Sequence, residues 1–112
     1  MSNVFDDRKK AFEAKYQHDE EQRFRLVSHR NHLFGLWAAE ALGLTGADAE
    51  TYARGVVEVE LTARGEDAVI GRVLGDLAAR GIDIGEGRLR IKLEKCQGQA
   101  EARERAHPRE PF

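Results

Sequence analysis

Apolar residues recur at helical spacing in four stretches of the chain and predict four helices. Each residue of an α-helix advances about 100° around the axis, so residues three, four and seven apart share a face. The first predicted core helix begins between His18 and Phe24 and ends at Gly43, a residue type that suits the position just after a helix. Its core-facing residues are Val27, Leu33, Phe34, Trp37, Ala41 and Leu44, broadened by Leu36 and Ala38.

The second predicted helix follows Thr45 and ends near Gly65. The alternation from Val56 to Leu61 would also suit a strand, but the flanking residues keep the helical period and favour a helix. The predicted core-facing residues are Ala49, Tyr52, Ala53, Val56, Val57 and Leu61.

The last two predicted helices are rich in glycine. The third ends at Gly81, and its internal Gly71 and Gly75 either allow close approach of another helix or simply weaken it. The fourth follows a D-x-x-E cap made by Asp83 and Glu86. The core-facing residues are Ile70, Val73, Leu74, Leu77 and Ala78 in the third helix, and Leu89, Leu93, Cys96 and Ala100 in the fourth.

Short connections between amphipathic helices favour antiparallel neighbours. The predicted fold class is therefore all-α: a small four-helix bundle with a long first helix and a mobile, conditionally helical N-terminal segment. We expect three parts: residues 1–18 as a segment that is disordered or frayed when free, residues 19–106 as the bundle, and residues 107–112 as a disordered tail.

The N-terminal segment carries an aromatic stripe, because Phe5, Phe12 and Tyr16 fall within about 40° of one another on a helix. The stripe is either a partner-binding face or a flap that folds onto the bundle. The polar stretch at 18–23 is predicted to be a solvated helix rather than a flexible linker, with i,i+4 ion pairs Asp19–Arg23 and Glu21–Arg25. It separates the aromatic stripe from the core, which favours partner binding. A membrane-surface helix is the weaker reading, since the polar face mixes both signs of charge.

Composition narrows the classes of function. The chain has 112 residues and a net charge of −2, which suit one domain and argue against a dedicated nucleic-acid binder. The single Cys96 excludes an internal disulfide and suits a reducing compartment. With neither a membrane-spanning apolar run nor a signal peptide in the sequence, we expect a cytoplasmic protein that is a monomer when free.

Candidate chemistry is sparse. His18 beside Asp19 is a candidate pH sensor, since an ordinary histidine titrates near pH 6.5. His29 and His32 could share a helical face, but no cysteine or carboxylate set completes a zinc site, so we expect no metal. No nucleophile–base pair, P-loop or dinucleotide fingerprint is present, so we expect no enzyme and no cofactor.

An ordered set of residues between residue 5 and about residue 44 is typical of one family. The set is Phe5-Asp6-Asp7-Arg8, Phe12-Glu13-Ala14-Lys15-Tyr16, His18-Asp19, Glu21, Phe24, Arg30-Asn31, Leu33 and Gly35-Leu36-Trp37-Ala38-Ala39. It resembles the zeta subunit family, the small ATPase-inhibitor proteins of alphaproteobacterial rotary ATP synthases.

The resemblance implies a four-helix bundle with a mobile inhibitory segment at roughly 2–16. In that family the segment inserts as a helix into a catalytic interface of the ATPase head, against the central stalk, and blocks ATP hydrolysis. The implied partners are therefore the catalytic head and central stalk, with the protein peripheral to the inner membrane through the ATP synthase. The implied partner-binding residues are Phe5, Asp6, Asp7, Arg8, Phe12, Lys15 and Tyr16.

Two other classes of function stay open from the residues alone. The chain could be a helical interaction adaptor that binds something other than an ATPase. It could also be a weak nucleotide- or phosphate-binding regulatory module that uses the face of His29, Arg30 and His32.

Overall fold

The computed structural model describes the backbone of residues 4–63 and 65–106, with side chains from residue 19 onward. It contains four helices: α1 Val4–Ala41, α2 Gly46–Ala63, α3 Glu66–Ala79 and α4 Glu86–Ala106. No strand occurs in these two ranges, and Val56–Leu61 is helical, as predicted from its flanks. The all-α four-helix prediction is confirmed, whereas the predicted tail at 107–112 lies outside the described residues.

Helix α1 begins earlier than predicted. It runs without a break from Val4 to Ala41, so the predicted helical state of the polar stretch at 18–23 is confirmed. The predicted start of a core helix between His18 and Phe24 is wrong, because that helix continues towards the N-terminus. Residues 18–23 lack apolar anchors, but none of them is a glycine, proline or β-branched residue, so nothing in the stretch opposes a helix. Disorder of residues 1–18 in the free protein stays a prediction.

Glycines end α1 and α3 in the same way. Gly43 has φ +82° and Gly81 has φ +73°, a left-handed conformation that costs glycine little. The N–H of Leu44 donates to the carbonyl of Ala39 at 2.9 Å, and that of Ile82 donates to the carbonyl of Leu77 at 2.9 Å. These 6→1 bonds are Schellman caps, which satisfy carbonyls that the helix leaves unpaired. Both predicted helix ends are confirmed.

The predicted D-x-x-E cap of α4 is misplaced. The helix begins at Glu86, and the carbonyl of Gly85 accepts the N–H of Leu89 at 3.2 Å. Asp83 therefore lies two residues before the cap position. Ile82 and Ile84, on either side of Asp83, pack against the core and keep this part of the chain outside the helix.

Helix α1 packs along α2 and α4, both antiparallel to it. Ion pairs and ring contacts fix the register with α4, since Arg25 lies opposite Glu104 and Trp37 lies opposite Lys92. By this register α4 ends near the level of residue 23. Residues 4–22 of α1 thus extend about 28 Å beyond α4, at a rise of 1.5 Å per residue.

The core lies between all four helices. Its fully buried residues include every predicted core position of α4, and Ile70, Val73 and Leu77 of α3. The predicted stripe of α1 is rotated, because Leu33, Trp37, Ala41 and Leu44 are only half-buried. The buried positions of α1 are Asn31, Phe34, Gly35, Ala38 and Ala39, of which Phe34 and Ala38 were predicted, and Leu42 is buried just after the helix.

Gly35 lies at a close approach between α1 and α2. A Cβ built on Gly35 would lie 2.7 Å from the Cα of Ala53 and 3.1 Å from its Cβ, so α2 packs directly on the α1 backbone. Of the two alternatives for Gly71 and Gly75, close approach of another helix does not hold, since nothing described lies within 4 Å of a Cβ at either position. Those two glycines only weaken α3.

A small hydrogen-bond network centred on Asp76 joins α2 to α3. The Tyr52 hydroxyl donates to Asp76 Oδ2 at 2.7 Å, and Arg72 Nε donates to the same oxygen at 2.9 Å. The Arg72 guanidinium also lies 5.7 Å from the centre of the Tyr52 ring. Burial, followed by the hydrogen bond to Asp76, raises the pKa of Tyr52 well above its ordinary value, so the hydroxyl stays a donor.

Candidate functional site

The predicted partner-binding residues all lie in the part of α1 that extends beyond the bundle. The backbone there is helical from Val4 onward. The side chains of residues 4–18 are outside the described ones, so the aromatic stripe and the pH-sensor role of His18 stay predictions. Side-chain positions are described from residue 19 onward, at the base of this segment where α1 enters the bundle. The predicted partner-binding residues are Phe5, Asp6, Asp7, Arg8, Phe12, Lys15 and Tyr16, and the predicted pH sensor is His18.

Ion pairs at the base of the segment differ from those expected. Arg23 Nη1 lies 3.6 Å from Glu20 rather than beside Asp19, and both side chains are well exposed. Arg25 Nη2 turns away from Glu21 and lies 3.8 Å from Glu104 of α4, with both side chains about three-quarters buried. Local spacing therefore missed a pair between helices that ties α1 to α4 where α1 leaves the bundle.

Two open grooves flank this base. One lies between α1 and α4 and has a volume of about 670 Å³, with Leu26 as its apolar residue. The other, between α1 and α2, has a volume of about 230 Å³ and contains two exposed large hydrophobic residues, Phe24 and Leu61. Its lining also includes Asn31, which is fully buried and whose Nδ2 has no hydrogen-bond partner among the described residues. The sequence analysis named Asn31 only among the residues that carry the family resemblance and did not predict its burial, because one amide within an apolar stripe gives no periodic signal.

Two residues of the basic face considered for phosphate binding, Arg30 and His32, already lie beside carboxylates of α2. Arg30 Nη2 donates to Glu60 at 2.9 Å, and the two side chains are only 12% and 17% exposed. Arg30 Nε donates to Asn31 Oδ1 at 3.0 Å, and His32 Nε2 lies 2.7 Å from Glu50. These groups hold α1 against α2, which argues against a phosphate site here.

Metal and membrane sites find no support in the described part of the chain. Within residues 19–63 and 65–106, no three His, Cys, Asp or Glu side chains come together as a metal site would require. None of the helices there combines the length and the apolar character needed to cross a membrane.

Acidification is expected to destabilise the bundle through His29. Burial lowers the pKa of His29, as do the charges of Arg103 and His32, while Glu104 acts in the opposite direction. The folded chain thus binds this proton less readily than the unfolded chain, so stability is lost as pH falls through the ordinary histidine range. We expect the thermal midpoint to fall more between about pH 7.5 and about pH 5.5 in the wild type than in His29→Gln. Equal falls in the two proteins would assign the pH dependence to other groups.

Comparison with known proteins identifies the family of the chain. The comparison with curated proteins found no match. The family described as ATPase inhibitor subunit zeta matches residues 1–103, which include all four helices almost to the end of α4. The chain therefore belongs to the ATPase inhibitor subunit zeta family.

Proposed function

We propose that this protein inhibits ATP hydrolysis by the rotary ATP synthase, by inserting residues 1–18 as a helix into a catalytic interface of the head, against the central stalk. The observation that carries the proposal is the continuity of α1. One helix runs from Val4 into the core, and its first 19 residues or so have no antiparallel partner from α4. A helix so placed can enter a groove of another protein without unfolding the bundle.

Binding by this segment couples folding to association. A helical segment of about 15 residues is marginal in water when nothing packs against it. Its ordering on the ATPase head therefore costs part of the interaction energy, which lowers the net affinity and keeps inhibition reversible.

The residues of the segment have distinct proposed roles. Phe5, Phe12 and Tyr16 are apolar anchors, because buried aromatic side chains commonly dominate the energy of an interface. The charged residues Asp6, Asp7, Arg8 and Lys15 set register and orientation by charge complementarity.

The described residues 19–63 and 65–106 form the body that holds the segment. Three contacts fix α1 between α2 and α4: the packing of Gly35 on Ala53, the Arg30–Glu60 pair and the Arg25–Glu104 pair. A rigid mount reduces the orientational freedom that must be lost on binding, which favours affinity. An adaptor that binds a different protein would share this architecture, so the partner must be tested directly.

Replacing Phe12 by alanine is expected to weaken inhibition about 30-fold, which corresponds to about 2 kcal/mol for a lost aromatic anchor. The measurement is ATP hydrolysis by the isolated catalytic head of a matching ATP synthase, titrated with the full chain. Phe24→Ala is the matched control, because Phe24 is 55% exposed on the bundle and lies outside the proposed segment.

The control should stay within about twofold of the wild type, since it removes the same ring from a surface outside the proposed interface. Both variants should keep the helical circular dichroism of the wild type. Unchanged potency of Phe12→Ala would remove the anchor assignment. No inhibition by the wild type, together with capture of another protein from membranes that carry ATP synthase, would favour the adaptor.

A further inference from the structure

Charges are segregated around α4. At about 100° per residue, Arg88, Ile91, Lys92 and Lys95 fall within about 100° of one another. The four glutamates of α4 lie outside that sector. The face is therefore basic and apolar, in a chain whose net charge is −2.

This face borders a shallow groove between α1 and α4. The groove has a volume of about 230 Å³ and is lined by Trp37, Arg88, Ile91, Lys92 and Lys95, which we call the α4 patch. Ile91 is 59% exposed, the most exposed of the three large hydrophobic residues on the described surface. An exposed isoleucine surrounded by cations resembles the apolar centre and polar rim of a binding surface.

The cations of the patch are not paired with carboxylates of the described bundle. Arg88, Lys92 and Lys95 form no ion pair with any carboxylate in the described ranges. By contrast, the neighbouring Arg90 bonds both Asp67 at 2.8 Å and Glu86 at 2.9 Å. The Nζ of Lys92 lies 5.8 Å from the centre of the Trp37 ring. Three unpaired positive charges on one face attract a negatively charged partner.

We propose that the α4 patch binds an acidic amphipathic helix on the catalytic head of the ATP synthase, as a second contact separate from the inhibitory segment. This inference rests on the proposed function. The three cations span about 10 Å along α4, so carboxylates one and two turns apart on a partner helix can face them. An apolar residue between those carboxylates covers Ile91.

The position of the patch fits a steering role. Trp37 lies about 50 Å along α1 from Val4, so the patch and the tip of α1 reach different regions of the partner. Exposed charges act mainly on the association rate, because their field extends over a Debye length, about 30 Å at 0.01 M salt and much less at high salt. The patch thus brings the body onto the head while the segment orders.

The contacts of the Trp37 ring favour an acidic protein over a nucleotide as the partner. Its ring already stacks on Phe34, with the ring centres 5.8 Å apart, and Lys92 lies over it. A nucleotide base would have to displace one of these contacts to stack there. Binding to an anionic membrane would not require a free aromatic ring, so the experiment below distinguishes a membrane from a protein partner.

The test compares two charge reversals of equal size in the full chain. Lys95→Glu alters the patch, whereas Arg54→Glu alters a side chain on α2 that is 71% exposed. We expect Lys95→Glu to slow the onset of inhibition of the isolated head about fivefold at about 0.01 M salt, with the difference lost at about 0.5 M. Arg54→Glu should remain within about twofold of the wild type under both conditions.

Binding of the fluorescently labelled full chain to the head is recorded beside hydrolysis. If the wild type inhibits and Lys95→Glu binds as fast, the patch proposal is overturned and the proposed function stands. If the wild type neither binds nor inhibits, both are overturned. Equal slowing by both variants shows a general effect of net charge and also overturns the patch. Sedimentation of the wild type, but not Lys95→Glu, with phosphatidylserine vesicles, combined with equal rates on the head, assigns the patch to a membrane surface.

Discussion

A chain that lacks residues 1–18 is expected to lose all inhibition of ATP hydrolysis while its bundle stays folded. Every fully buried side chain described in the bundle lies between Asn31 and Ala100, so the truncation leaves that core complete. It removes all three proposed aromatic anchors and thus the whole inserted helix. The measurement is ATP hydrolysis by the isolated head, with thermal unfolding of the truncated chain as the control.

Each outcome of the truncation has a definite meaning. Inhibition by the full chain alone places the active element in residues 1–18. Inhibition by both chains would move the contact surface into the bundle and contradict the insertion proposal. Inhibition by neither, with both folded, would make this member of the family an adaptor or a relic.

Gly35→Val is expected to lower the free energy of unfolding by about 3 kcal/mol, at the upper end of the usual cost of overpacking. A Cβ at this position meets the backbone of Ala53 at 2.7 Å, so the side chain cannot simply change rotamer and α2 must move. For a domain of this size the loss corresponds to a fall of about 12–24 °C in thermal midpoint.

Gly75→Val is the matched control for this prediction, because nothing described lies within 4 Å of a Cβ at Gly75. The same substitution there should change the free energy of unfolding by less than about 0.5 kcal/mol, since valine is at least as good a helix former as glycine. Chemical denaturation of both variants decides the matter. Equal stability of the two would show that α1 and α2 can separate at Gly35 without cost.

Sequence reasoning succeeded where one residue decides the local structure. Gly43 and Gly81 end helices because their backbones take positive φ, a property visible from residue type and spacing. The stripe of Leu89, Leu93 and Cys96 was also predictable, since α4 uses one narrow face against the core. The family likewise followed from an ordered set of residues and is confirmed.

Sequence reasoning failed where contacts with a neighbouring helix determine which residues are buried or paired. α1 packs on α2 at Gly35 and buries Asn31, and neither residue carries a hydrophobic signal. Leu33 and Trp37 of the predicted stripe are therefore only partly buried at the edge of the core. The pair Arg25–Glu104 joins residues 79 positions apart and cannot be read from local spacing. The same holds for Arg30–Glu60, which turned a predicted surface patch into a contact between helices.

The unbroken α1 has a consequence for changes of chain length. Each residue added to or removed from residues 19–23 turns the N-terminal segment about 100° about the helix axis relative to the bundle. A flexible tether would absorb such a change, but a continuous helix converts it into misorientation of one binding surface against the other. Insertions of seven residues, close to two full turns, restore the phase to within about 20° and merely lengthen the reach. The polar stretch thus behaves as a spacer of fixed pitch, in which length and angle cannot vary independently.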